Sequence, residues 1–588
     1  MLAPLKSAGE TGVRMASGDG VTRQTFPIFA CFVGDYPEQV LVSGCKTGDC
    51  PKCSTKRGEL GQLEDHYQYR DLQKVLEALS TFDSNPGGYA STCADAGIKP
   101  IVHPFWESLP YSDIYLAITP DILHQLYQGM MKHLISWVTT AFGQKEMDAR
   151  SKCLPQNHNV RHFSKGISSF SRLTGKEHAD MCRILLGLVI DLKLPDGRSP
   201  LPLIRSIRSL LNFLYLAQYP THTTETLHLL RQSLEEFHKH KQIFVDLSIR
   251  DDFNLPKLHS LAHYVESIQL FGTTDNYNTE YTERLHIDLA KDAYRATNHR
   301  DEYGQMTVWL ERKEKVLQHQ SYLDWRFGTK SKIVLRPTRM EFNGTPRLTK
   351  WPSVKAVDLD DLVKNYGATF FREALRRHIA LSQHAGTPLT RRQLEQRILY
   401  VDLPFTSLPV YHKLKFVSHA DSAQAKVTTL DAIHVRPGRR SKQGALVPAR
   451  FDTALLNVQS GGDTGLQGVS RALIMCRMPD LREGYRVGQV RVIFELPGSA
   501  DERLAYVEWF STFSVPDPDH GMLKINRMLD DRDRIASIVP VSSIRRSVHL
   551  FPKFGSKVPE HWTSANVLEK CASFYLNLFS DRHMYYIT

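Results

Sequence analysis

GDCPKC, residues 48–53, holds Cys50 and Cys53 at the spacing of half a tetrahedral zinc site. The fold turns on where the other half lies. Far along the chain, KLHSLAH (257–263) places His259 and His263 four residues apart, on one face of a helix, where two imidazoles can bind one ion. A closed Cys2His2 site of these four residues would staple the start of the chain to the end of a long helical block. Two simpler readings stay open: a C-x-x-C can be a plain turn, and H-x-x-x-H arises easily among 25 histidines. The separation is not that of a zinc finger, which argues against a small independent zinc module.

At 588 residues, with 41% hydrophobic and 23% charged residues, the chain is expected to form two to four ordinary globular domains. RILLGLVIDL (183–192) is too short to span a membrane and contains an aspartate, and MLAPLKSAGETG lacks the apolar segment of a signal peptide. Nine scattered cysteines are too few for a disulfide framework. Together these features predict an intracellular protein without a membrane partner. The net charge of +11 permits a polyanionic partner such as nucleic acid.

FPIFACFV (26–33) and QVLVSG (39–44) read as strands from their aromatic and β-branched content, with Asp35 in the GDYPEQ turn between them. From 121 to 320 the apolar spacing becomes helical, as in DILHQLYQGMMKHLISWV, RSIRSLLNFLYLAQY and ETLHLLRQSLEEFHKHKQIF. GRRSKQGALVPAR (438–450) reads as a polar linker, and YRVGQVRVIFEL (485–496), LAYVEWFSTF (504–513) and ASIVPVSSI (536–544) read as strands of a small β-rich domain. Glu283 lies in TEYTERLHIDLAKDAYR, a predicted helix. The proposed staple would draw it towards Asp35, and converging carboxylates suit hard Mg2+ ions that clamp phosphoryl oxygens. Taken singly, each is as readily a turn aspartate or a solvated helix glutamate.

The order Asp, C-x-x-C, D-x-x-H, helical stretch, H-x-x-x-H, Glu resembles the DDE transposases of the CACTA group. PIFACFVGDYPEQVLVSGCKTGDCPKC (27–53), HPFWESLPYSDIYLAITPDILHQLYQGMMKHL (103–134) and KLHSLAHYVESIQLFGTTDNYNTEYTERLHIDLAKDAYRATNHRDE (257–302) are similar to hallmark segments of the fungal branch called Plavaka. The resemblance extends over essentially the whole chain, including YRVGQVRVIFELP and YVEWF. It implies an α/β plus all-α chain: an incomplete RNase H-like core with a large helical insertion, then a small β-rich C-terminal domain. The implied parts are a partial core with the C-x-x-C (1–125), an all-helical insertion (126–256), core-closing helices (257–335), a mixed linker region (336–450) and the β-rich domain (451–588).

The resemblance also implies roles. Asp35 and Glu283 match the second and third catalytic carboxylates and would hold catalytic Mg2+ or Mn2+; Glu280, one turn before, is the fallback for Glu283. Cys50, Cys53, His259 and His263 match structural zinc ligands. Asp121 and His124 match the D-x-x-H motif, with His124 expected near the scissile DNA strand; Asp121 is equally a helix cap and His124 a packed side chain. The first catalytic aspartate is not found. Asp19 sits where the family has a turn, so the expectation is an N-terminally truncated or domesticated transposase, inactive or impaired, acting on DNA in the nucleus, as a homodimer or higher oligomer. The alternative is a non-enzymatic DNA-binding or assembly protein using Arg436, Arg439, Arg440 and Lys442. A zinc hydrolase of unrelated type is disfavoured, because the four inferred ligands leave no open position.

Overall fold

The computed structural model describes the chain except residues 1–2, 171–172, 195–196, 328–343, 385–388, 419–427, 442, 459–483, 498–501 and 588. Lys442, Cys476 and the expected boundary at 335 therefore lie outside the described residues. Two compact units are present. Met1–Val138, Leu173–Ala179 and Arg205–Arg339 form the first, and Thr139–Arg172, Asp180–Ile204 and Met340–Thr588 the second. The stretch 126–256, expected as one insertion, is divided between them.

The first unit opens with an exposed hairpin, β1 (Val13–Ala16) and β2 (Thr22–Thr25). Asp19 closes its turn, accepting from the Val21 amide at 3.0 Å and pairing with Arg23 at 2.8 Å. The two strands expected next are corrected. Within 26–33 only Phe32 pairs, in a single parallel bridge to Ile118, while Phe26 and Ile28 are half exposed. QVLVSG is not a strand but most of α1 (Tyr36–Ser43). Local chemistry outweighs its β-branched content: Asp35 caps the Glu38 amide at 2.9 Å, Pro37 sits in the first turn, and Gly44 ends the helix in the left-handed region at φ 69°.

Phe32 and Ile118 pack on a core of Val75, Leu79, Tyr89, Trp106, Ile114 and Tyr115. The helical readings hold. α2 (Ile122–Met131) is π-wound and runs into the helix Lys132–Phe142, and α3 (Thr224–His240) starts in a capping box at Thr223. Pro256 opens the helical stretch through His263, and α4 (Thr279–Leu285) is capped by Asn278.

The second unit is built on a seven-stranded sheet. β3 (Val354–Asp358) pairs β4 (Ser407–Val410), and the central path uses β5 (Thr453–Asn457), β6 (Tyr485–Glu495), β7 (Arg503–Trp509), β8 (Ala536–Pro540) and β9 (Ile544–Val548) in the order β8-β7-β6-β5-β9. The strand reading at 485–496 thus holds, that at 504–513 holds as far as Trp509, and ASIVPVSSI divides into β8, a short turn and the start of β9. The expected linker region instead joins the same core, through Val357, Leu362, Phe371, Leu408 and Ile433. Within 438–450, Arg439–Arg440 pair with Leu446–Val447 in a small hairpin, and Arg450–Phe451 pair at the edge of Thr429–Arg436. Residues from 139–204 belong to this unit through buried polar bonds: Arg150, fully buried, donates to Leu188 O at 3.1 Å, and Asn159 Nδ2 donates to Asp431 at 3.1 Å.

Candidate metal centre and active site

Cys50, Cys53, His259 and His263 meet, each at most 2% exposed, with their ligand atoms all within 4.8 Å of one another. Cys50 Sγ lies 3.4 Å from His263 Nε2, and Cys53 Sγ lies 3.0 Å from His259 Nε2. A zinc tetrahedron with its usual bond lengths requires ligand separations of about 3.3–3.8 Å. The donor set fits zinc; the Cys50–His263 separation falls in that range and the Cys53–His259 separation is a few tenths of an ångström shorter.

The C-x-x-C turn is already shaped for a thiolate, since the Lys52 and Cys53 amides point at Cys50 Sγ at 3.4 and 3.5 Å. Burial pushes the Cys50 thiol well up, whereas the hydrogen bond from Cys50, helped by His259 and His263, holds Cys53 far below the usual thiol range. Tyr67 packs edge-on against both imidazoles. His259 Nδ1 is buried without a partner.

Lys52 links this centre to a second cluster. Its buried ammonium donates to the carbonyls of Leu116 (3.1 Å) and Ile118, just ahead of Asp121. Because Phe32 and Ile118 pair in parallel, the positions three residues beyond each, Asp35 and Asp121, end neighbouring extended segments and cap α1 and α2. The same register aligns Gln39 with Gln125. Gln39 Nε2 donates to Gly34 O (2.9 Å) and Thr119 O (2.8 Å), Gln125 Nε2 donates to Gln39 Oε1 (3.3 Å), and the Asp121 amide donates to Gln125 Oε1 (3.1 Å). The sequence reading missed these glutamines, although the repeated D-x-x-x-Q at 35–39 and 121–125 was a signal.

Asp121 is 1% exposed and saturated with hydrogen bonds. Its Oδ2 accepts from the His124 amide (2.7 Å) and meets His124 Nδ1 (2.8 Å), while Oδ1 accepts from Thr279 Oγ1 (2.8 Å) and the Thr279 amide (3.2 Å). Thr279 was another residue missed; it begins α4 and so fixes that helix against α2. The other nitrogen of His124, Nε2, lies 2.9 Å from Glu283 Oε1. Glu280 instead accepts from Asn278 Nδ2, at 3.4 Å.

Burial works to raise Asp121, but the bonds from His124 and Thr279 outweigh it and hold the carboxyl below its usual range. His124 is raised by the Asp121 hydrogen bond first, then by the charges of Asp121, Glu283 and Asp35. Lys257 also lies in reach of Asp35 and Asp121, and burial pushes it down. Gly129 lets it approach, because a Cβ there would sit 2.8 Å from the Lys257 side chain and 2.7 Å from His124 O. The result is an imidazole whose charged form is favoured, held between Asp121 and Glu283 with the charge of Asp35 in reach.

Asp19 is confined to its hairpin turn, paired with Arg23. Arg436 ends a strand and Arg439 and Arg440 lie on the exposed hairpin of the second unit. No helix among the described residues is long and apolar enough to cross a membrane.

A comparison with curated proteins returns no match. Residues 1–138 match the family model described as Plavaka transposase. Asp35, the cysteine pair, Asp121 and His124 all fall inside that match, and over these residues the chain is similar to the Plavaka transposases.

Proposed function

We propose that the chain is transposase-derived and that Asp35, Asp121, His124 and Glu283 are the centre of a partial, RNase H-like DDE core acting on DNA at transposon ends. The observation that supports this most is the bridge made by His124, from Asp121 at Nδ1 to Glu283 at Nε2, with Asp35 in electrostatic reach. Asp35 and Glu283 are the hard oxygen donors that would hold Mg2+ or Mn2+, which when bound would activate a water or a 3′-hydroxyl and offset charge on the phosphate. The chain's own residues do the positioning. Asp121 orients the imidazole and favours its charged form, and His124 and Lys257 offer positive charge to a phosphate oxygen. A zinc ion at the Cys2His2 centre would hold Glu283, some twenty residues beyond His263, in register with Asp35.

DNA is the proposed partner and the nucleus the proposed site of action, with pairing of two copies on paired ends. Cleavage by the chain alone is proposed to be weak, since Asp35 and Glu283 match two of the family's three carboxylates and Glu283 is engaged by His124. That same ion pair favours, as the second reading, a DNA-binding or assembly protein without catalysis.

The test uses the purified 588-residue chain on duplex DNA carrying the element's ends, with Mg2+ or Mn2+. The expected outcome is binding that weakens with salt and little nicking. Strong metal-dependent nicking that Glu283→Gln abolishes would keep the centre and overturn the impairment. Absence of DNA binding even at low salt would overturn the transposase-derived reading.

A further inference from the structure

The second unit carries a partly open cavity of about 230 Å³ beside its central sheet, lined among others by Arg436, Arg450, Arg491, Ala565 and Glu569. Arg491 belongs to β6 and is 5% exposed. Its Nη2 donates to Glu508 (3.0 Å) and Glu569 (2.7 Å), but its Nε is buried without a partner. Behind it, Arg527 also leaves Nε buried and unpartnered, and Arg534 reaches the same two glutamates. Three guanidiniums thus share two carboxylates. Burial, together with the neighbouring charges of Arg534 and Arg491, pushes Arg527 down to about 9.

The cavity's other arginines do not redress the balance. Arg450 is neutralised by a two-pronged pair with Asp452, at 2.7 and 3.0 Å. Arg436 approaches from the end of the strand Thr429–Arg436 with its Nε buried and unpartnered. Buried donors that carry charge are costly to leave without acceptors, and nothing in the transposase centre of the first unit accounts for them.

We propose that this cavity is a phosphate-binding site, in which Arg436 and Arg491 contact a phosphate group. Phosphate suits it better than a carboxylate because guanidiniums arriving from separate strands can each address a different oxygen of a tetrahedral dianion. The phosphate belongs either to a nucleic-acid backbone or to a small free ligand; the recognition chemistry is the same.

The experiment is calorimetric titration of the full chain with inorganic phosphate, then competition by a short oligothymidylate. Two variants accompany it: Arg436→Gln removes a half-buried contact, and Ala565→Glu places a negative charge at an exposed rim position outside the core. Both should melt like the parent without ligand. One phosphate per chain is expected, weakened at least about tenfold in each variant, as loss or opposition of one charge-assisted bond predicts. Displacement of phosphate by the oligonucleotide assigns the site to a nucleic-acid backbone, and failure to displace it assigns a free phosphate; both support the proposal. It is overturned if phosphate does not bind by about 10 mM, if Ala565→Glu binds as the parent does, or if acetate binds equally well.

Discussion

Removing metal from the Cys2His2 centre should destabilise the first unit by several kcal/mol, and the structure sets the scale. All four ligands are buried and already gathered, their ligand atoms within 4.8 Å of one another, so metal binds the folded unit far better than the unfolded chain. An ion present at a thousand times its dissociation constant stabilises by about 4 kcal/mol. For a unit of this size that corresponds to a fall in Tm of about 8–16 °C on chelation. Cys53→Ser and His263→Ala should each lower Tm by a similar amount in zinc and abolish the response to chelator, because what is lost is the ion and not one contact. The assay is metal content by mass spectrometry, with melting curves in zinc and in chelator for parent and variants. Limited proteolysis should show cleavage on both sides of the staple, near residues 57–66 and 257–271, appearing together. A parent chain that purifies without stoichiometric zinc and melts identically in chelator would refute the reasoning.

Three further predictions rest on buried groups. His549 is fully buried and pushed down to about 3 by desolvation, with Nε2 unpartnered, so the folded state binds its proton less readily than the unfolded chain. Stability should therefore rise with pH from about 3 to about 6.5 and level off above; the His549→Phe variant should lose on the order of 3 kcal/mol less than the parent over that acid range, read from urea unfolding at each pH. At the carboxylate cluster, Asp121→Ala should cost about 3 kcal/mol, since it removes a helix cap and strands the polar groups of Thr279 and His124. Gln39→Leu and Gln125→Leu should each destabilise, yet the double variant should recover on the order of 1 kcal/mol relative to additivity in a thermodynamic cycle; strict additivity would contradict their bond.

The sequence made the ligand pair Cys50/Cys53 and the pair His259/His263 legible because each is a local spacing, set by a turn or by one helical step. The long helices were legible for the same reason, as their apolar period repeats every few residues. α1 was misread although its cap was present: Asp35 and Pro37 announce a helix, but the valines of QVLVSG weighed more heavily than they should in a reading by composition. Phe26 and Ile28 mark the other error, aromatic and branched residues that look like a strand face and instead stay half exposed.

By itself, then, the sequence determined the four soft and borderline ligands, the helical period and the basic charge, all of which follow from residue type and short-range geometry. Only the tertiary structure decided that Glu283 and not Glu280 meets His124, that Thr279 anchors Asp121 across 158 residues, and that Gln39 finds Gln125 across 86. It also decided that Thr139–Arg172 and Asp180–Ile204 join the C-terminal unit. The physical reason is common to all of these. A cap or a period is satisfied within a turn or two of chain, whereas the partner of a buried polar group depends on which distant segments the burial of apolar surface brings together.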